Sequence, residues 1–100
     1  MSTSTKYRLQ FLPQALKEWR KLDPSIQQQL KRKLIERLHN PHIPSSRLRG
    51  FDAVYKIKLR SSGYRLVYQV NDNKLVVLVI VIAKRDRYEV YKILKKRYSP

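Results

Sequence analysis

Tyr55-Lys56-Ile57-Lys58-Leu59-Arg60-Ser61-Ser62-Gly63-Tyr64-Arg65-Leu66-Val67-Tyr68-Gln69-Val70 decides the fold. It reads as two β-strands joined by a tight Ser/Gly turn. Tyr55, Ile57 and Leu59 alternate with Lys56, Lys58 and Arg60, the period-2 pattern of a half-buried strand. Beyond the turn, Tyr64, Leu66, Tyr68 and Val70 alternate with Arg65, Val67 and Gln69. A turn at Ser61-Ser62 sets Ile57 opposite Leu66 and Leu59 opposite Tyr64, so the apolar sets share one face. The same register sets Lys58 opposite Arg65, with Lys56 nearby. Like charges facing each other cost a hairpin a few tenths of a kcal/mol, up to ~1. Either the positive charge is needed there, or it is a solvated face whose lysines guard an edge.

C-terminal to the hairpin, Asn71-Asp72-Asn73 makes a turn. Leu75–Ala83 is apolar without alternation, which predicts a strand covered on both faces and central in its sheet. Asp86 is placed to cap a last helix reaching Arg97, with Val90, Leu94 and Tyr98 turned inward.

N-terminal to it, residues 1–5 read as a disordered tail and Tyr7–Phe11 as a first strand. Pro13 opens a short amphipathic helix through Leu22, with Ala15, Leu16 and Trp19 on its apolar stripe. Asp23-Pro24 opens a second helix through about His39, striped by Ile26, Leu30, Leu34, Ile35 and Leu38. The Pro-containing segment 40–46 is a loop, and Arg47-Leu48-Arg49-Gly50 leads back to the hairpin. The expected fold is α+β in the order β-α-α-β-β-β-α. It is a four-stranded, mainly antiparallel sheet with the helical hairpin on one face and a short C-terminal helix. Residues 1–100 form one domain.

The chain carries 23 Lys+Arg against 7 Asp+Glu, a net charge of +16 over 100 residues. Such a field favours polyanions: nucleic acid, an acidic protein or an anionic surface. There is no cysteine, which excludes disulfides and thiolate metal sites. Met1–Lys6 has no apolar segment of the signal-peptide kind, and Leu75–Ala83 is too short to span a bilayer. The expectation is a cytoplasmic protein with no membrane partner.

His39 and His42 lie at a helix end and in a loop, with no carboxylate or second histidine at ligand spacing. They read as solvent-exposed side chains, and no metal site or cofactor is expected. Arg85 directly follows the apolar strand and Tyr91 lies on the next helix. If that helix folds back along the sheet, both approach Lys56, Lys58 and Arg65. The bland reading is a capping charge and a packed aromatic; with seven tyrosines in the chain, an idle one is common. Arg47, Arg49, Arg60, Lys84, Arg87 and the basic tail Lys92, Lys95, Lys96 and Arg97 suit a phosphate-contact surface.

Together these residues resemble the RelE family of toxins, the ribosome-dependent messenger-RNA endonucleases of toxin–antitoxin pairs. The likeness is strongest in residues 15–22 (Ala-Leu-Lys-Glu-Trp-Arg-Lys-Leu), in Leu48-Arg49-Gly50, through Tyr55–Val70, and in Lys84-Arg85 followed by Glu89-Val90-Tyr91. It departs around His42-Ile43-Pro44 and after Tyr91. The resemblance implies Tyr91 as general base, Arg85 as general acid, and Lys56, Lys58 and Arg65 as stabilisers of the transition state. The RNA 2′-OH then attacks its own phosphate, without metal. A tyrosine serves as base only where cations lower its pKa, and a guanidinium is a reluctant acid. The resemblance also implies a RelB-like antitoxin, the ribosome and messenger RNA as partners, and operator DNA bound only through the toxin–antitoxin complex. The reading from another class is a non-enzymatic basic toxin or nucleic-acid-binding module of the same fold, such as a ParE-like gyrase inhibitor.

Overall fold

The computed structural model describes residues 5–84 and 86–98. Four strands, β1 (Arg8–Phe11), β2 (Val54–Lys58), β3 (Arg65–Asn71) and β4 (Val76–Ala83), form one sheet in the order β1-β4-β3-β2. β2, β3 and β4 make an antiparallel meander, and β1 adds to β4 in parallel. Three helices accompany them: α1 (Pro13–Arg20), α2 (Pro24–His39) and α3 (Arg87–Arg97). The expected order and the central place of β4 both stand. Among the described residues, no helix is long and apolar enough to cross a membrane.

The hairpin has the register its sequence demands: Ile57 faces Leu66 and Lys58 faces Arg65. Gly63 adopts φ +79°, where a side chain would be strained, and its N–H closes the turn on the Leu59 carbonyl at 2.8 Å. The apolar set Tyr55, Ile57, Leu59, Leu66, Tyr68 and Val70 packs under α1 and α2, against Ala15, Leu30, Leu34 and Leu38. Trp19 joins this core from its edge, against Phe11 at 5.6 Å between ring centroids.

β4 departs from strict alternation. Val67 pairs with Val81 and Tyr68 with Val79, so Ile80 is an extra residue, a β-bulge. Ile80 and Val81 therefore both turn to the second face, where they meet Val54, Val67, Leu48, and Val90 and Leu94 of α3. An all-apolar run hides such a shift, because every residue in it is buried on either side.

Charge places α3 as well. Its N-terminus is capped by Asp86, whose carboxylate accepts the Glu89 N–H at 2.9 Å. Its C-terminus is latched by Arg97, which donates two hydrogen bonds to the Glu18 carboxylate (2.9 and 3.0 Å) and one to the Ile80 carbonyl (2.9 Å). Glu18 also accepts the Ile82 N–H at 3.0 Å. β1 stops short of this part of β4, and the Glu18–Arg97 pair takes the edge groups it leaves uncovered. Arg97 is thus not part of the phosphate-contact surface expected of the basic tail; only 17% of its side chain is exposed. A distant acid on α1 claimed it, and no local pattern announces such a pairing.

His42 also departs from expectation. The Tyr7 hydroxyl donates to Asp72, and His42 lies between Asp72 (Nε2–Oδ1 2.9 Å) and the Tyr55 hydroxyl (Nδ1–Oη 2.8 Å). Its carboxylate partner stands thirty residues away in sequence, beyond any spacing rule. With neutral imidazole, Nε2–H donates to Asp72 and Nδ1 accepts from Tyr55. Arg37 completes the joint, donating to the Tyr68 hydroxyl (2.8 Å), Ser46 Oγ (3.2 Å) and the Lys56 carbonyl (3.2 Å). The network pins the 40–46 loop to the hairpin-side core. His39 is exposed, as expected.

Candidate active site

Helices α1 and α2 occupy one face of the sheet and leave Lys56, Lys58 and Arg65 on the other. This follows from parity alone. Once Tyr55, Ile57 and Leu59 are buried beneath the helices, the alternating residues must face away. Lys58 is exposed, and Lys56 and Arg65 are half-buried.

α3 then crosses this face. Val90 and Leu94 anchor it, 4% and 0% exposed, and Tyr91 between them stands at the edge of its packed side. Lys56, Arg65, Arg87 and Tyr91 line one small cavity over an apolar floor of Leu48, Val67 and Val90. The cavity holds about 10 Å3, room for a single water and not for a phosphate. No carboxylate lines it. Cations gathered without an acid, the half-buried Lys56 and Arg65 beside the exposed Arg87, create a field that favours an incoming anion. A wider polar groove of about 810 Å3 lies over β1 and the 71–74 turn, but Asp52 and Asp72 line it, which suits an anion poorly.

The expected group therefore assembles in large part. Tyr91, Lys56 and Arg65 meet, and Lys58 adjoins them through its pairing with Arg65. Arg85 lies outside the described residues. Arg87, expected only as a phosphate contact, stands inside the cluster. Its position in the first turn of α3, two residues before Glu89, holds no signal that would have separated it from its neighbours. Arg47 bridges to Tyr55 beside β2, and Arg60 lies in the exposed hairpin turn. Lys84 and Lys96 are exposed, and Arg49, Lys92 and Lys95 line an open groove on the far side of Tyr91. Among the described residues, no group of three or more His, Cys, Asp or Glu side chains is placed to hold a metal ion.

Comparison with known proteins identifies the family. Residues 9–88 match the family model of the ParE toxin of type II toxin-antitoxin system, parDE. The mRNA interferase toxin RelE of Escherichia coli strain K12 is 58% identical over 91 residues, covering 91% of this chain and 96% of that protein. The crystal structure of the isolated E. coli RelE toxin superposes with a TM-score of 0.78 at 57% identity, covering 91% of this chain and 97% of the other. The toxin in the intact E. coli RelBE toxin-antitoxin complex does so with a TM-score of 0.78 at 58% identity, covering 81% and 99%. The family model identifies the shared toxin fold, and the relatives select the branch: the chain belongs to the RelE family within the RelE/ParE superfamily of type II toxins.

Proposed function

We propose that this chain is a toxin that cuts messenger RNA in the ribosomal A site, in the cytoplasm, and that a RelB-like antitoxin holds it silent. The observation that carries the reading is the meeting of Tyr91 with Lys56, Arg65 and Arg87 in an acid-free site. Relatives of more than half identity bear the name mRNA interferase, and a RelE relative is known in complex with RelB.

The chemistry needs no group beyond the RNA and these side chains. The 2′-oxygen forms a bond to the adjacent phosphorus, and the bond from phosphorus to the 5′-oxygen breaks. The products are a 2′,3′-cyclic phosphate and a 5′-OH. Tyr91 accepts the 2′-OH proton as general base. Lys56, Lys58 and Arg65, joined by Arg87, face the charge that builds on the phosphorane oxygens. Arg85 returns a proton to the leaving 5′-oxygen. The space between Tyr91 and Arg65 is too small for a phosphate as it stands, so the side chains that line it shift as the substrate enters. The ribosome supplies the bent strand that so weak an acid–base pair requires. The antitoxin, opposite in charge, covers or displaces α3 and takes Tyr91 from the lysines.

The test is cleavage of messenger RNA with and without programmed ribosomes, with the new ends mapped. Cuts within the A-site codon that end in cyclic phosphate, lost with Tyr91→Phe, are the expected result. Intact RNA under these conditions, with supercoiling by gyrase arrested instead, overturns the proposal in favour of a ParE-like toxin.

A further inference from the structure

One stripe of α3 faces the sheet. Val90, Leu94 and Arg97 stand at i, i+4 and i+7, a single side of the helix. The first two are buried among apolar side chains. The pattern calls for another apolar residue in the third place, and an arginine stands there instead. The fold provides for it. Its guanidinium donates two hydrogen bonds to the Glu18 carboxylate and a third to the carbonyl of Ile80, the extra residue of the β4 bulge. Glu18 is itself fixed by the Ile82 N–H. Only 17% of the Arg97 side chain and 26% of the Glu18 side chain are exposed, so solvent and salt screen the pair little.

Apolar contact is non-directional, and two buried residues set no sharp limit on how an eleven-residue helix rolls about its axis. A forked pair of guanidinium and carboxylate is directional and does set one. Tyr91 lies off the buried stripe, one residue on from Val90, so a roll carries it sideways across the cavity it lines with Lys56, Arg65 and Arg87. At a helix radius of about 5–6 Å, a roll of about 10° moves a side chain about 1 Å. A misplacement of that size can cost a reaction about a hundredfold.

We propose that Glu18 and Arg97 are positioning residues. Their pair sets the roll of α3, and through it the place of Tyr91 against Lys56 and Arg65, without touching the RNA. The proposal deepens the reading of the chain as an RNA-cutting toxin and rests on it.

Two measurements on the full chain test it. The first is single-turnover cleavage on programmed ribosomes at rising ribosome concentration. Arg97→Gln is expected to lower the limiting rate constant about 10- to 100-fold. The ribosome concentration for half that rate should stay within about twofold of the parent's. Glu18→Gln, which keeps part of the contact, should lose less. In a Tyr91→Phe background, Arg97→Gln should change the residual rate by less than about twofold, because both act through one group. Leu34→Ala loosens the opposite core and controls for stability; below every variant's melting temperature it should cleave at the parent rate. The second measurement is fluorine NMR of the chain labelled with 3-fluorotyrosine, the Tyr91 signal being identified by its loss in Tyr91→Phe. Arg97→Gln should shift that signal and leave in place the signal of Tyr68, buried under α1 and α2. A parent-like limiting rate in folded Arg97→Gln, equal fractional losses with and without the Tyr91 hydroxyl, or an unmoved Tyr91 signal overturns the proposal. So does a loss confined to the half-saturating concentration, which would make Arg97 an RNA contact. Failure of the parent to cut RNA on ribosomes defeats the toxin reading instead, and the fluorine signal still decides whether the pair seats Tyr91.

Discussion

The two faces of the sheet use the same residue types in opposite ways. Under α1 and α2, apolar side chains fill the space, and the polar groups that enter have partners. Arg37 reaches Tyr68, Ser46 and a carbonyl; His42 lies between Asp72 and Tyr55. Under α3, apolar packing is confined to a strip around Val67, Ile80 and Leu94, and beside it cations gather without an acid. The first face spends its charges on structure. The second sets Lys58 and Arg65 side by side despite their mutual repulsion, an arrangement that suits the anion site proposed above. The proposed site for a phosphodiester and a stable core ask opposite things of arginine, and one sheet separates them by parity.

The contrast breaks most visibly at Leu34, 1% exposed beneath the sheet. Leu34→Ala should cost about 2–5 kcal/mol, read by urea unfolding, because a large cavity opens in a dense core. On the other face, Arg65→Ala should lose cleavage by about a hundredfold, near 3 kcal/mol in the transition state, while its melting temperature stays within a few degrees. Arg85→Ala should behave alike. Unchanged cleavage by a folded variant would mean the cluster is not the site.

The Glu18–Arg97 latch joins the two halves of the molecule. Glu18→Gln keeps the shape and should destabilise by about 1–2 kcal/mol, since its amide oxygen still accepts from Ile82 and Arg97 while its NH2 group loses the second bond from the guanidinium. Hydrogen exchange in α3 should rise more than in α2. Equal acceleration in both would show that the latch serves global stability and not the seating of α3.

The smallest effect is in pH. Hydrogen bonds from Tyr7 and His42 hold the Asp72 carboxyl below its ordinary 3.8. Its contribution is present above that value and is lost as pH falls through the lowered folded value. The hydrogen bond to Asp72 and burial push the Tyr7 hydroxyl above its ordinary 10.0. The neutral phenol therefore stabilises below that value, and the gain is lost as pH rises through the raised one. Melting temperatures should show a plateau between these limits, and Asp72→Asn should flatten both shoulders. A variant with the parent's acid and alkaline slopes would remove the network from the account.

Reading the chain alone places Lys56, Lys58 and Arg65 on one face, because period-2 alternation and a short turn leave no other register. It also places β4 at the centre, since Val76–Ala83 offers no polar face to water. The place of Arg87 was illegible, because a lone exposed arginine at a helix start is the same letter whether or not it lines a cavity with Tyr91. Arg97 misled for a related reason. Set among lysines, it looked like a solvated tail, and only the return of α3 over β4 brings it to Glu18. His42 likewise waited for the 71–74 turn to bring Asp72 alongside.

Determined by sequence, then, were the elements, their buried faces and the side on which positive charge collects, since all of these follow from the local period of apolar residues. Left to the tertiary structure were the extra residue at Ile80, the partners of Arg97 and His42, and the meeting of Tyr91 with a basic cavity. Those are contacts between residues far apart in the chain. Their free energy depends on distance in space, and no short window of sequence encodes it.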